Sequence, residues 1–163
     1  LRVIRVDFDA APLKREMRMT SGKILLQDTD IGAKEDYKIV TDTEPTDAQK
    51  RDLLFGMKVV KYVRSNAVVL IKDGKTMGIG GGETSRIWAL ENIFNHNPDR
   101  DFTGSVMASD AFFPFDDCVK AAAEHGVASI IQPGGSIRDE DSVKACNERT
   151  ISMVFTGVRH FKH

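Results

Sequence analysis

The regular alternation of short apolar runs with helical stretches over residues 105–156 constrains this chain most. Residues 105–108, 128–132 and 151–156 read as strands, and residues 115–125 and 139–149 between them as helices. A strand, a helix of about ten residues and a further strand make a βαβ unit, which sets the strands parallel and lays the helices over the sheet. An α/β fold with a largely parallel sheet is therefore expected. Such sheets bind ligands where their strands end, so the loops that follow the strands are the places to search.

Upstream, Leu53, Leu54, Met57, Val60 and Tyr62 fall near helical spacing and predict a helix over residues 48–63. Glu44-Pro45-Thr46-Asp47 supplies a turn and a capping residue before it. Residues 67–71 are uniformly apolar, as in a strand buried on both faces. Asp73-Gly74 is a tight hairpin signal, with residues 76–79 returning and a helix over 87–94 to follow. Extended stretches at residues 1–8, 17–28 (broken at Ser21-Gly22) and 37–41 make residues 1–45 a β-rich N-terminal extension, appended to a domain over 46–163.

The chain has 163 residues, enough for one domain with a core of its own. A net charge of −1 leaves no overall footprint for nucleic acid or an anionic membrane, so neither is expected as a partner. No window approaches the roughly 18 apolar residues of a membrane span. The two cysteines, Cys118 and Cys146, lack C-x-x-C spacing and read as free thiols of a reducing cytoplasm rather than a zinc pair. The chain opens on Leu1 rather than Met, which suggests processing or a start within a longer polypeptide.

Unusual residues gather where strands end. Gly78-Ile-Gly-Gly-Gly-Glu-Thr-Ser-Arg86 reads either as a strand-to-helix turn capped by Thr84 or as a backbone path close to a ligand, with Arg86 clamping a phosphate or planar amide. It is neither a P-loop nor a dinucleotide fingerprint. Ser109-Asp-Ala-Phe-Phe-Pro-Phe-Asp-Asp117 places three phenylalanines around a proline, an aromatic wall for a flat heterocycle or partly core. Asp117 suits an amino-pyrimidine edge, and Asp116 or Asp117 also suits a helix cap. Gln132-Pro-Gly-Gly-Ser-Ile-Arg138 offers a nest of backbone amides, or a turn with Ser136 as cap. The tail, Thr156-Gly-Val-Arg-His-Phe-Lys-His163, is basic and aromatic. It is either frayed or folded back onto the sheet. His160 and His163 have no further ligand at metal spacing, so no metal is expected. His125, near a helix end, reads as a dipole partner. Ser65-Asn66, before the buried strand, caps the preceding helix or faces the cleft.

These segments, together with Lys61-Tyr-Val-Arg-Ser-Asn66, resemble in order and spacing the bifunctional AICAR transformylase / IMP cyclohydrolase family. The resemblance runs from about residue 52 to 163 and is most specific over the last sixty residues. It implies a cytidine-deaminase-like layered α/β subdomain without the deaminase zinc, forming the C-terminal part of the transformylase region. The implied function is transfer of a formyl group from 10-formyltetrahydrofolate, the co-substrate, to AICAR in purine synthesis. Matched residue by residue, it implies that Asn66, Arg86, Phe112 and Arg159 contact the nucleotide, with Asn66 the catalytic position near the reacting carboxamide. It implies that Ile87, Asp117, Ser136 and Ile137 line the folate pocket, and that the protein is a homodimer or pairs with a complementary transformylase half.

Two positions depart from the family pattern. Asp116 stands where the family usually has Arg, and Glu83 where it has Gln. The Lys-His pair that the family uses as stabiliser and general base belongs to the other subdomain. Lys162-His163 repeats it in spelling only, in another motif. The alternative to a share of a formyltransferase is a non-catalytic nucleotide- or folate-binding or assembly module. A zinc deaminase is disfavoured by the missing H-x-E and P-C-x-x-C ligands.

Overall fold

The computed structural model describes residues 4–5, 14–32 and 36–162. The chain divides into two compact units, Leu1–Ile31 and Gly32–His163. The first contains one hairpin of β1 (Arg15–Thr20) and β2 (Lys23–Asp28), paired antiparallel. Its turn residues Ser21 and Gly22 have φ of 45° and 76°, the left-handed pair that matches the twist of two-residue hairpins. The broken extended stretch is thus two strands. The strand expected over residues 1–8 lies outside the described residues except for Ile4 and Arg5, which are not in a strand.

The second unit begins earlier than the boundary at 45/46 that the sequence suggests. Its β3 (Lys38–Ile39) pairs antiparallel with β8 (Ser152–Phe155), so residues 36–45 are joined to the larger sheet. Helix α1 (Asp47–Val60) starts at Thr46 in a full capping box. The Thr46 hydroxyl accepts from the Gln49 N–H, and the Gln49 side chain accepts from the Thr46 N–H. Strands β4 (Val68–Lys72) and β5 (Lys75–Gly80) form a hairpin at Asp73 and Gly74, both at positive φ. The Asp52 carboxylate of α1 accepts from both turn amides, at 2.8 and 2.9 Å. There follow α2 (Arg86–Asn95), β6 (Val106–Ser109), α3 (Asp117–Glu124), β7 (Ser129–Gln132), α4 (Asp139–Asn147) and β8.

The six-stranded sheet has the order β3-β8-β7-β6-β4-β5. Only β6/β7 and β7/β8 are parallel, because only those pairs are joined by helical crossovers. The two-residue turn forces β4 and β5 antiparallel, and β4 also runs antiparallel to β6. The sheet is therefore mixed rather than largely parallel. Alternation along β4 sorts the core. Val68 and Leu70 face a cluster with α2, α3 and α4, while Ala67, Val69 and Ile71 face α1 through Leu53, Met57 and Val60. The result is an α/β sandwich of one helix, the sheet and three helices. No helix among the described residues is long and apolar enough to cross a membrane.

The glycines around β5 are packing residues. A Cβ at Gly80 would overlap the Ala89 carbonyl of α2, and one at Gly78 would overlap Ile93. Gly80→Ala is therefore expected to destabilise the fold by roughly 1–3 kcal/mol, the usual range for overpacking. A denaturant midpoint equal to that of the unsubstituted chain would contradict this packing.

Both thiols are buried. Burial, reinforced by the neighbouring Asp117 charge, pushes the Cys118 thiol far above its ordinary value. Burial pushes Cys146 up to about 12, with Arg149 pulling weakly the other way. The folded chain keeps both protons where an unfolded thiol, ordinary value 9.0, loses them. This contribution to stability is complete below pH 9.0 and is lost as pH rises from there towards 12. Thiol titration at pH 8 is expected to find no reactive cysteine in the folded chain and both in denaturant. Rapid labelling of either in the folded state would refute the burial.

Candidate functional site

The strand directions bring distant segments to one edge of the sheet. β6, β7 and β8 end there, leading into residues 110–116, 133–138 and 156–162. β5 ends there too, and because β4 runs opposite to β6, Asn66 enters at the same edge. Helices α2, α3 and α4 all start from it, so their positive dipole ends converge on these loops.

Asp110 joins the segments. It follows the buried strand β6 directly and is itself fully buried. Its N–H donates to the Ala67 carbonyl at 3.2 Å, next to Asn66, and its carbonyl accepts from the His160 N–H at 2.8 Å, next to Arg159. Its Oδ1 accepts from Nε and Nη2 of Arg86 at 3.1 and 3.0 Å. Phe112 is two residues on. The four residues expected to hold the nucleotide are thus tied to one aspartate that is not among the residues expected at the site. The available signal was a charged residue placed just after the apolar run Val106-Met107-Ala108, one serine on.

Asn66 does not cap α1, which ends at Val60 with Lys61 as its cap. Its N–H and Nδ2 both donate to the Glu83 carbonyl, at 3.2 and 3.0 Å. That fixes the amide at the cleft edge, where no described residue donates to its Oδ1. The Glu83 carboxylate turns towards α2 and accepts from Asn92 at 2.8 Å, so the departure at this position is met by a local donor. Ser85, not Thr84, caps α2, its hydroxyl accepting from the Trp88 N–H.

The phenylalanines separate. Phe113 is fully buried core. Phe112 is half-buried under the Arg159 guanidinium, whose carbon stands 4.8 Å from the ring centroid. Phe115 is exposed under Arg138, at 5.1 Å. The aromatic wall is therefore two rings, each covered by an arginine. The negative charge at Asp116 is paired with Lys120 at 2.8 Å, and its side chain makes no capping bond.

The residues expected at a folate pocket flank this edge. Asp117 is half-buried, its Oδ1 accepting from the Cys118 N–H at 2.7 Å. The Ser136 hydroxyl accepts from the Arg138 N–H at 3.1 Å and does not cap α4, whose N-cap position is Arg138. Ile137 is wholly exposed, and Ile87 is half-buried against the core under α2. The contact of Phe115 with Arg138 brings the loops of Asp117 and Ser136–Ile137 together. Ile87 stands at the start of α2, which packs against α3, the helix that Asp117 opens. Two amides of the expected nest, those of Gly134 and Gly135, already have acceptors within the chain. Gly134 N–H donates to Gln132 Oε1 at 3.1 Å, and Gly135 N–H to Asp139 Oδ2 at 2.6 Å.

The tail folds back. Thr156 and Gly157 donate to the carbonyls of Gln132 and Pro133, and Ser65 and Lys162 exchange bonds at 2.9 and 3.1 Å. His160 is buried beneath it. His125 stacks on Phe94 with centroids 3.5 Å apart, so its surroundings are aromatic packing rather than a helix end alone. A hollow of about 440 Å³ opens at the same edge beside Gly134, Gly135 and Gly157. The larger hollow of about 580 Å³, lined by Gly126, Val127 and Thr150, lies at the opposite edge and touches none of the site residues.

Residues 1–95 match the family model of the AICARFT/IMPCHase bienzyme. Over all 163 residues the chain is 51% identical to the bifunctional purine biosynthesis protein PurH of Clostridioides difficile and 56% identical to that of Clostridium perfringens. It spans 32% of the length of each. A dCMP deaminase from the cyanophage S-TIM5, solved with dCMP and dUMP, is 16% identical over 64% of this chain and 90% of its own, with a TM-score of 0.41, a likeness too partial to bear on function. The match over more than half of its residues places the chain in the AICARFT/IMPCHase bienzyme family.

Proposed function

We propose that this chain is the C-terminal share of a formyltransferase that moves a formyl group from 10-formyltetrahydrofolate to AICAR, and that it supplies binding residues for both substrates. The observation that carries the reading is the convergence of Asn66, Arg86, Phe112 and Arg159 on one sheet edge through Asp110. Family membership supports the substrate class. Arg86 and Arg159 suit an anionic nucleotide, since guanidinium forks match phosphate and amide oxygens. The Phe112 ring suits a flat base. Asp117, Ser136, Ile137 and Ile87 would line the folate side, with Asp117 offering Oδ2 to an amino-pyrimidine edge.

The attacking amine of AICAR is conjugated with its ring and is a weak nucleophile. Catalysis then rests on holding amine and formyl carbon together and on removing a proton. Asn66, with its Nδ2 fastened to Glu83, would hold the carboxamide beside that amine. The general base would come from sequence outside this chain, which spans about a third of its relatives' length. We read the active assembly as a homodimer, or as this chain joined to a complementary transformylase half, with no metal.

Formyl transfer is expected to be negligible for this chain alone and restored by adding the remaining part of the transformylase. Robust turnover by the chain alone would overturn the division of roles. Binding of both ligands without turnover, even after complementation, would favour a non-catalytic module. Arg159→Ala is expected to weaken AICAR binding by about 10- to 100-fold, the worth of one or two charge-assisted hydrogen bonds, and to leave folate binding unchanged. Calorimetric titration with each ligand measures both, and an unchanged AICAR affinity would remove Arg159 from the site.

A further inference from the structure

We infer that Asp110 is a positioning residue: its buried carboxylate orients the Arg86 guanidinium towards the nucleotide, and its backbone sets Asn66 and Arg159 on either side. The inference rests on the reading of this edge as a nucleotide site. The Asp110 side chain is 0% exposed and that of Arg86 is 11% exposed. Nε and Nη2 of Arg86 both go to Oδ1, at 3.1 and 3.0 Å. Oδ2 is buried with no hydrogen-bond partner among the described residues. Nη1 likewise has none among them.

An ion pair shaped for stability alone would use both carboxylate oxygens in a two-to-two fork. This one gathers two donors on a single oxygen and leaves the far side of the guanidinium free. A buried carboxylate with an unmet oxygen is a costly feature, and such pairs are weak sources of stability. The arrangement does hold the guanidinium plane, which a flexible exposed arginine lacks. With one side of that plane fastened, the remaining N–H groups face a carboxamide or phosphate oxygen at a fixed angle. The same aspartate accepts from His160 and donates to Ala67, so a shift at Asp110 moves the neighbours of Arg159 and Asn66 with it.

The test is a double-mutant cycle on this chain, titrated calorimetrically with AICAR, using Asp110→Asn, Arg86→Ala and the double substitution, with thermal midpoints recorded. If Asp110 acts through Arg86, Asp110→Asn weakens binding by about tenfold or more alone but less than about twofold when Arg86 is already alanine. Full affinity in Asp110→Asn, or an equal loss in both backgrounds, overturns the inference while leaving the nucleotide reading standing. Absence of AICAR binding by the unsubstituted chain overturns the reading and the inference together. Should Asp110→Asn fail to fold, the Arg86 Nε–H resonance of the unsubstituted chain, assigned by its loss in Arg86→Lys, decides. Slow exchange with solvent and a shift on adding AICAR support the inference, and fast exchange or no shift overturns it.

Discussion

The candidate site depends on one buried ion pair. Asp110 leaves the end of a central strand into the interior, and Arg86 reaches it from the first residue of α2. A buried carboxylate demands a charged partner, because breaking such a pair costs roughly 3–5 kcal/mol. That demand ties α2 to β6 at the edge where the other loops arrive. The remaining contacts at this edge extend the same tie. The tail crosses by donating to the Asp110 carbonyl, and Asn66 is held by Glu83 three residues before Arg86. Two arginines, a flat aromatic face and a fixed amide thereby share one support.

The mixed sheet explains why this edge is rich. A purely parallel sheet brings only strand ends together at its ligand side. Here β3 and β4 are reversed, so the starts of two strands join the ends of four others. The reversal also sets the glycines of β5 against α2. Gly78 and Gly80 admit close approach of the helix that carries Arg86. Packing and site geometry are coupled at these glycines. Gly78 and Gly80 let α2 come near enough for Arg86 to reach Asp110.

Much of this was legible in the sequence. Periodicity located every helix and strand of the larger unit to within a few residues, because each has a clear apolar run or a turn residue such as Gly74 at its limit. The strand-end loops were legible as well, through their glycines, prolines and aromatics. The parallel or antiparallel sense of β4 was not, since it depends on where a hairpin docks and not on its own pattern. The division between aromatic wall and core was also hidden, because Phe112, Phe113 and Phe115 look alike until the strand end fixes which one turns inward. Asp110 was missed for a related reason. A lone aspartate after a strand resembles a turn residue, and its role arises from Arg86, twenty-four positions away. Likewise Lys120 and Asn92 meet the changed charges at Asp116 and Glu83 only because helices bring them near.

The most direct test of the account is amide chemical-shift mapping of this chain as AICAR is added. The account predicts shifts gathered in residues 64–66, 83–86, 110–113 and 157–161, with residues 103–105, 126–128 and 149–151 at the opposite edge unmoved. Shifts centred on the opposite edge, or spread evenly over the sheet, would contradict it.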